Sequence, residues 1–277
     1  MAVETRPAKS GMSKRKRAKL GRGAQYVVLV LIVVVAALLA DWGRIQHEFF
    51  NLEVARSMFP TVVTTALVNT AVYTALGFAF GLGLALVLAL MRMSSVGPYR
   101  WLSGAYIEFF RGLPALLVFL SVGFGIPTAF EEINFNRNIT IMLALGIVGS
   151  AYMAETIRAG IKAVPGGQLE AARSLGMSHG RATMTIVIPQ AFRIILPPLT
   201  NELILLTKDS SLAFVLGAAL AQQELTQFGR SALTSYESMT PILVVGLCYL
   251  VITIPLSILQ QRLERRFGPD GGQGSKS

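Results

Sequence analysis

The chain has 277 residues, 53% of them hydrophobic and only 14% charged, against roughly 25% charged in soluble domains. With a mean hydropathy of +0.56, this composition excludes an ordinary soluble domain and points to an all-α integral membrane protein. The net charge of +10 does not signal nucleic acid, because no basic–aromatic interleaving accompanies it.

Residues 1–24 form a basic arm predicted to be cytoplasmic. It holds eight Lys/Arg (Arg6, Lys9, Lys14, Arg15, Lys16, Arg17, Lys19 and Arg22) against one acid, Glu4. An arm of this kind before an apolar run reads as a topology determinant and a lipid-surface contact. The run from Gln25 to Ala40 gives about 24 Å of helix and ends at the interfacial pair Asp41-Trp42. A signal peptide is the rival reading. The basic region is long for one, and Leu38 fits poorly three places before a cut after Ala40, which favours a retained first span. Residues 41–60 are mixed and polar, so 25–60 is taken as the first span plus an external segment.

A second span runs from Thr61 to Met91 and ends at Arg92. Gly77, Gly81 and Ala85 recur every four residues, as do Ala75, Ala79 and Gly83. Both stripes predict faces on which helices approach closely within lipid. Arg92, Arg100 and Arg111, with Gly97-Pro98 among them, predict a cytoplasmic turn. Glu108 and Arg111, three apart, predict a local pair. The third span covers about Leu113 to Ile126, and the polar stretch EEINFNRN (131–138) an external loop. The fourth covers Ile139 to Ala154, with Glu155 and Arg158 as a structural pair at its end.

The stretch Gln168 to Pro198 is a polar, small-residue-rich interruption that predicts two short helices. The first covers Gln168–Leu175, with Glu170 near its positive N-terminal end and Gly176 as a left-handed cap. Ser178 caps a second helix reaching about Ile188, and Pro189 discourages its extension. Ala171 and Ala172 leave a low, smooth flank that another protein can approach closely. After Pro198 a fifth span extends to about Ala221, broken by Lys208-Asp209-Ser210-Ser211. Polar residues 222–240 precede a sixth, Pro241 to Leu259, and a basic end of Arg262, Arg265 and Arg266. The Gly-rich tail within 267–277 is predicted to be disordered.

Six spans place both termini on one side. Of the 25 Lys/Arg, only Arg44, Arg56, Arg137 and Arg230 fall in segments assigned outside, Lys208 lies within a span, and the remaining 20 fall inside. Both termini are therefore predicted to be cytoplasmic, and the interruption at 165–198 with them.

The interruption carries a family pattern. Glu170-Ala171-Ala172, three residues, Gly176, nine residues, then Ile186 and Pro189 resembles the EAA loop of permease subunits of binding-protein-dependent ABC importers. Ile188 stands where that family has Leu. YIEFFRGLP (106–114), YMAETIRAGIKAVPGGQ (152–168) and Lys208-Asp209-Ser210 resemble the polar amino acid branch, with Leu113 and Ser210 each in place of a usual Thr.

The resemblance covers 61–266 and implies the type I ABC importer permease (MetI-like) fold, a multi-pass protein of the cytoplasmic membrane. It implies that Glu170, Ala171, Ala172, Gly176, Ile186 and Pro189 couple the chain to ATPase subunits. Those subunits would bind ATP and Mg, leaving no cofactor in this chain. A solute-binding protein outside and a second permease copy, identical or sister, complete the implied assembly. Glutamate or a related polar amino acid is the favoured substrate.

The chain has no G-x-x-x-x-G-K-[ST] phosphate loop, no nucleophile elbow and no H-E-x-x-H, and His47 and His179 lack metal-ligand spacing. The pattern favours a transporter subunit over an enzyme, with no metal site. Cys248 stands alone, so no intrachain disulfide is possible. A charge inside a bilayer is costly unless paired or facing water. Lys208, Asp209, Ser210 and Ser211, with Asn69, are therefore candidates for a substrate pathway, and a structural polar network is the equal alternative. Glu155 and Glu202 are weaker candidates. An ion-coupled secondary carrier explains six spans and an intramembrane Lys-Asp, but not the Glu170–Pro189 pattern. A membrane scaffold explains the small-residue seams only.

Overall fold

The structure, a computed structural model, describes residues 14–133 and 135–267. Arg6 and Lys9 of the basic arm, and the tail 268–277, lie outside the described residues. The chain divides into two units, one ending at Phe50 and the other beginning at Asn51.

The first unit is α1 (Lys14–Leu39) and α2 (Trp42–Phe49). The apolar run is the end of a 26-residue helix that begins inside the basic arm. Its window Gly21–Leu39 is long and apolar enough to cross a membrane. Asp41 caps α2 by accepting from the Arg44 N–H (2.9 Å), and Trp42 Nε1 donates back to the Ala37 carbonyl (2.7 Å).

The second unit begins with α3 (Leu52–Ser57) and a π turn, Val62–Leu67, that runs into α4 (Val68–Met93). Then come α5 (Gly97–Gly112), α6 (Ala115–Leu120), α7 (Ile126–Ala129) and α8 (Arg137–Lys162). The interruption supplies α9 (Gly166–Ser174) and α10 (His179–Ala182). It leads into α11 (Ile188–Asp209), a 3-10 segment Ser210–Leu216, α12 (Leu225–Tyr236) and α13 (Thr240–Phe267). No strand occurs among the described residues.

Five helical runs among the described residues can cross a membrane: Gly21–Leu39, Val62–Met93, Arg137–Lys162, His179–Leu216 and Thr240–Phe267. The predicted third span is the second limb of a pair, Gly97–Gly112 and Ala115–Ala129, bent by 107°, and counting that pair as one span gives six. The turn expected over 92–111 is thus a correction. Gly97-Pro98 begins a 16-residue helix with proline in its first turn, where its missing N–H has no partner to lose. The predicted Glu108–Arg111 pair does not form. The Arg111 guanidinium lies 5.6 Å from the centre of the Tyr152 ring instead.

The core lies between α4 and α8. A Cβ at Gly77 would sit 2.6 Å from Leu145 Cβ, one at Gly81 3.0 Å from the Gly146 carbonyl oxygen, and one at Gly146 3.1 Å from that of Gly77. The stripe of Gly77, Gly81 and Ala85 therefore brings two backbones into contact, as small residues do within lipid. The second stripe, Ala75, Ala79 and Gly83, stays exposed. Tyr73, Phe119, Ile141, Leu145 and Met153 fill the core around the seam.

Pro189 does not end a helix, and no span starts afresh after Pro198. From His179 to Leu216 the chain runs as 38 residues of continuous helical turns. A π turn at Thr183–Val187 precedes Pro189, and its wider ring of backbone gives the proline room. Gln190 Nε2 donates to the Ile186 carbonyl (3.0 Å), and Thr200 Oγ1 to that of Leu196 (2.9 Å) beside Pro197 and Pro198. Side-chain donors of this kind make prolines tolerable inside membrane helices.

Candidate functional site: an exposed short helix and an acid-lined recess

α9 is nine residues long and ends in a Schellman cap. The Met177 N–H reaches the Ala172 carbonyl (3.2 Å) and the Gly176 N–H that of Arg173 (3.0 Å), while Gly176 adopts φ +85°. This is the paired 6→1 and 5→2 arrangement that a left-handed residue makes possible. The helix begins two residues earlier than expected, so Glu170 sits mid-helix and no acid occupies the first turn. The expected dipole contact is therefore absent.

Glu170, Ala171, Gly176 and Pro189 are exposed, and Ile186 is half-buried within the π turn. Ala172 is only 3% exposed, so it faces the chain's own interior and does not share the open flank with Ala171. Two residues outside the motif join that surface: Leu175 is 86% exposed and Met184 72%.

The second feature lies toward the other end of α11. Glu202, Leu205, Leu206 and Asp209 are spaced by three, one and three residues, so they share one helix face. They line a recess with Gly149 and Tyr152 of α8, with Leu113 and Ala115 at its edge. The Tyr152 hydroxyl donates to the Arg111 carbonyl (3.3 Å), which fixes the ring at the wall.

The α-helix ends at Asp209, and the chain tightens to 3-10 geometry at Ser210. The expected break in the span is thus only a change of helix type, within turns that continue to Leu216. Of the five pathway candidates, the structure brings only Asp209 into this recess. Lys208, its neighbour, is exposed away from it. Ser210 is buried, and its hydroxyl donates back to the Thr207 carbonyl (2.7 Å). Ser211 is half-buried outside the recess. Asn69 is a brace: its amide donates to the carbonyls of Ala221 (3.0 Å) and Gln223 (2.9 Å). Glu202, the weaker candidate, takes the better place. The seven-residue spacing to Asp209 was the signal for it. Glu155 and Arg158 form the expected pair, with Arg158 Nε donating to Glu155 (2.9 Å).

Outside the membrane-crossing runs, Glu224 is fully buried at the start of α12. Its carboxylate accepts from the N–H groups of Thr226 (2.5 Å) and Gln227 (2.7 Å). Burial pushes its pKa up to about 7, opposed by those two backbone hydrogen bonds.

A polytopic helical membrane protein with a capped short helix exposed at one end and an acid-lined recess toward the other has the form of a transport subunit. Residues 77–269 match the family described as the binding-protein-dependent transport system inner membrane component, and the chain belongs to that family. It is 40% identical to the probable glutamine ABC transporter permease protein GlnM of Bacillus subtilis, over 72% of this chain and 92% of that one. It is 35% identical to the arginine transport system permease protein ArgU of Corynebacterium glutamicum, over 86% and 79% of the two chains. Among solved structures, an amino acid ABC transporter crystallised with histidines is 36% identical with a TM-score of 0.68, covering 76% of this chain and 95% of that one.

Proposed function

We propose that this chain is the membrane permease subunit of an ATP-driven importer of a polar amino acid. α9 is its coupling helix, seated on a cytoplasmic ATPase subunit that binds ATP and Mg. A second permease copy and an external solute-binding protein complete the assembly. The single observation that carries this reading is the exposed, Schellman-capped helix bearing the EAA spacing intact. The distribution of Lys and Arg supports placing that helix, and both termini, in the cytoplasm. The relatives named for glutamine and arginine support the substrate class.

The recess is the substrate pathway. Glu202 and Asp209 on its wall suit an ammonium or a cationic side chain. A side-chain carboxylate would meet like charge there, which gives glutamate the weaker claim beside arginine and glutamine.

The test is uptake of radiolabelled arginine, glutamine, glutamate and cystine by cells expressing the full importer. Uptake of one of them that stops on ATP depletion, and that changes in selectivity with Asp209→Asn, is the expected result. Uptake that survives ATP depletion but collapses with a protonophore would establish the ion-coupled carrier instead.

A further inference from the structure

A second polar recess lies apart from the one at Asp209. Phe214, Val215 and Gly217 form its floor, and Gln227, Arg230, Ser231 and Thr234 form its wall. Those four residues are three, one and three apart, so they occupy one face of α12. The recess is open.

Arg230 is the charge in it. Its guanidinium carbon lies 4.4 Å from the centre of the Phe214 ring, and stacking of this kind orients the planar fork while leaving its N–H edge free. Among the described residues Arg230 forms no ion pair with a carboxylate. The nearest acid along the chain on the helix's N-terminal side, Glu224, is buried and engaged with backbone N–H groups. Ser231 Oγ accepts from Gln223 Nε2 (3.2 Å), which leaves its own proton to donate. The floor is fixed, because Arg137 donates to the carbonyls of Gly217 and Ala213. An ordered guanidinium beside a free hydroxyl donor, with no ion pair of its own among the described residues, matches a carboxylate.

The position adds a direction. α11 has 22 residues, about 33 Å of helix, and the recess begins beyond its far end from α9. It therefore lies across the membrane from the coupling helix. The two recesses flank the 3-10 segment Ser210–Leu216, with Arg230 at one end and Asp209 at the other. We propose that the Arg230 recess is an outer station that binds the α-carboxylate of the incoming amino acid before its ammonium group reaches Asp209 and Glu202. This rests on the amino-acid-import reading above.

The test uses the permease–ATPase complex in nanodiscs without the binding protein, probed at equilibrium with radiolabelled arginine, glutamine, glutamate and cystine. For the amino acid that binds, Arg230→Gln is expected to weaken affinity about 10- to 100-fold, the usual worth of a charge-assisted hydrogen bond. Arg230→Lys should recover part of the loss. The wild type should discriminate against the α-carboxamide of that amino acid by a similar factor, and Arg230→Gln should not. Because Arg230 is exposed, the substitution leaves the fold intact.

Unchanged affinity in Arg230→Gln overturns the proposal. So does normal affinity with lost stimulation by the binding protein, which would assign Arg230 to that protein's acidic surface. A wild-type complex that binds none of the four overturns the outer station, whereas a full importer that takes up none of them in cells overturns the amino-acid reading itself.

Discussion

Replacing Gly176 by Val tests the proposed coupling role of α9 apart from everything else in the chain. A Cβ at this position meets nothing within 4 Å, but φ is +85°, so the whole penalty is conformational. A left-handed backbone costs an L-residue about 1–2 kcal/mol, and a β-branched one more. If the chain relaxes to avoid that strain, the hydrogen bonds Met177–Ala172 and Gly176–Arg173 open, at about 1 kcal/mol each. α9 has nine residues, and helices below about 12 residues are marginal without such support. A penalty of about 2–4 kcal/mol therefore falls on an exposed helix and not on the α4–α8 core. The expected result is normal membrane yield with loss of ATPase copurification and of binding-protein-stimulated ATP hydrolysis in liposomes. Gly176→Asn, which tolerates the left-handed region, should retain both. If the Val variant holds its ATPase and couples like wild type, the pose of α9 is not what links this subunit to ATP.

Ala171→Trp should leave yield and thermal stability unchanged but lower ATPase copurification, because Ala171 is exposed. Ala172→Trp should instead lower yield and melting temperature, because Ala172 is buried and the added ring has no room. Glu224 sets a pH dependence. With its pKa held at about 7, the folded chain keeps a proton that the unfolded chain has lost. Stability should fall as pH rises from about 4.5 to about 7, by up to about 3 kcal/mol, and level off above that. Glu224→Gln should flatten the profile in detergent thermal melts, and an unchanged slope would assign it to another group. Cysteines placed at Glu132 and Ser235 should react with a membrane-impermeant thiol reagent in intact cells, and one at Ser178 should not. The opposite pattern inverts the topology.

The features legible in the sequence are those with a local cause. Gly176 signals its cap through its own backbone freedom, and Gly77, Gly81 and Ala85 signal a seam through spacing alone. Glu155 and Arg158, three apart on one helix, pair as that spacing allows, although Glu108 and Arg111 at the same spacing do not. The features that were not legible depend on what lies across from a residue. Gly77 and Ala79 belong to equally regular stripes, yet only the first meets α8. Ala171 and Ala172 are the same residue side by side, and rotation about the helix axis turns one outward and the other inward. Lys208 and Asp209 read as a single polar break, but one residue of helical turn sends Asp209 into the recess and Lys208 away from it. Nothing within the Lys-Asp pair distinguishes the two directions. The heptad-like spacing from Glu202 to Asp209 does.

Reading Pro189, Pro197 and Pro198 as stops would divide the protein where its mechanics need it whole. If the helix ended at Pro189, a displacement of α9 would reach the pathway only through a loop, which absorbs motion. The structure instead sets α9 against the π turn at Thr183–Val187 and continues from that turn through α11 to Asp209 without an unwound residue. A helix resists compression along its axis, so a shift at the α9 end would be carried about 33 Å to the recess wall as a displacement or rotation. The π turn and the switch to 3-10 geometry at Ser210 lie at the two ends of this helix. A rotation of α11 by even a part of a turn would move Glu202 and Asp209 together, because they share one face, and so present or withdraw both carboxylates at once. The prolines that look like breaks in the sequence thus lie within the one helical run that joins the α9 end of the protein to the recess at Glu202 and Asp209.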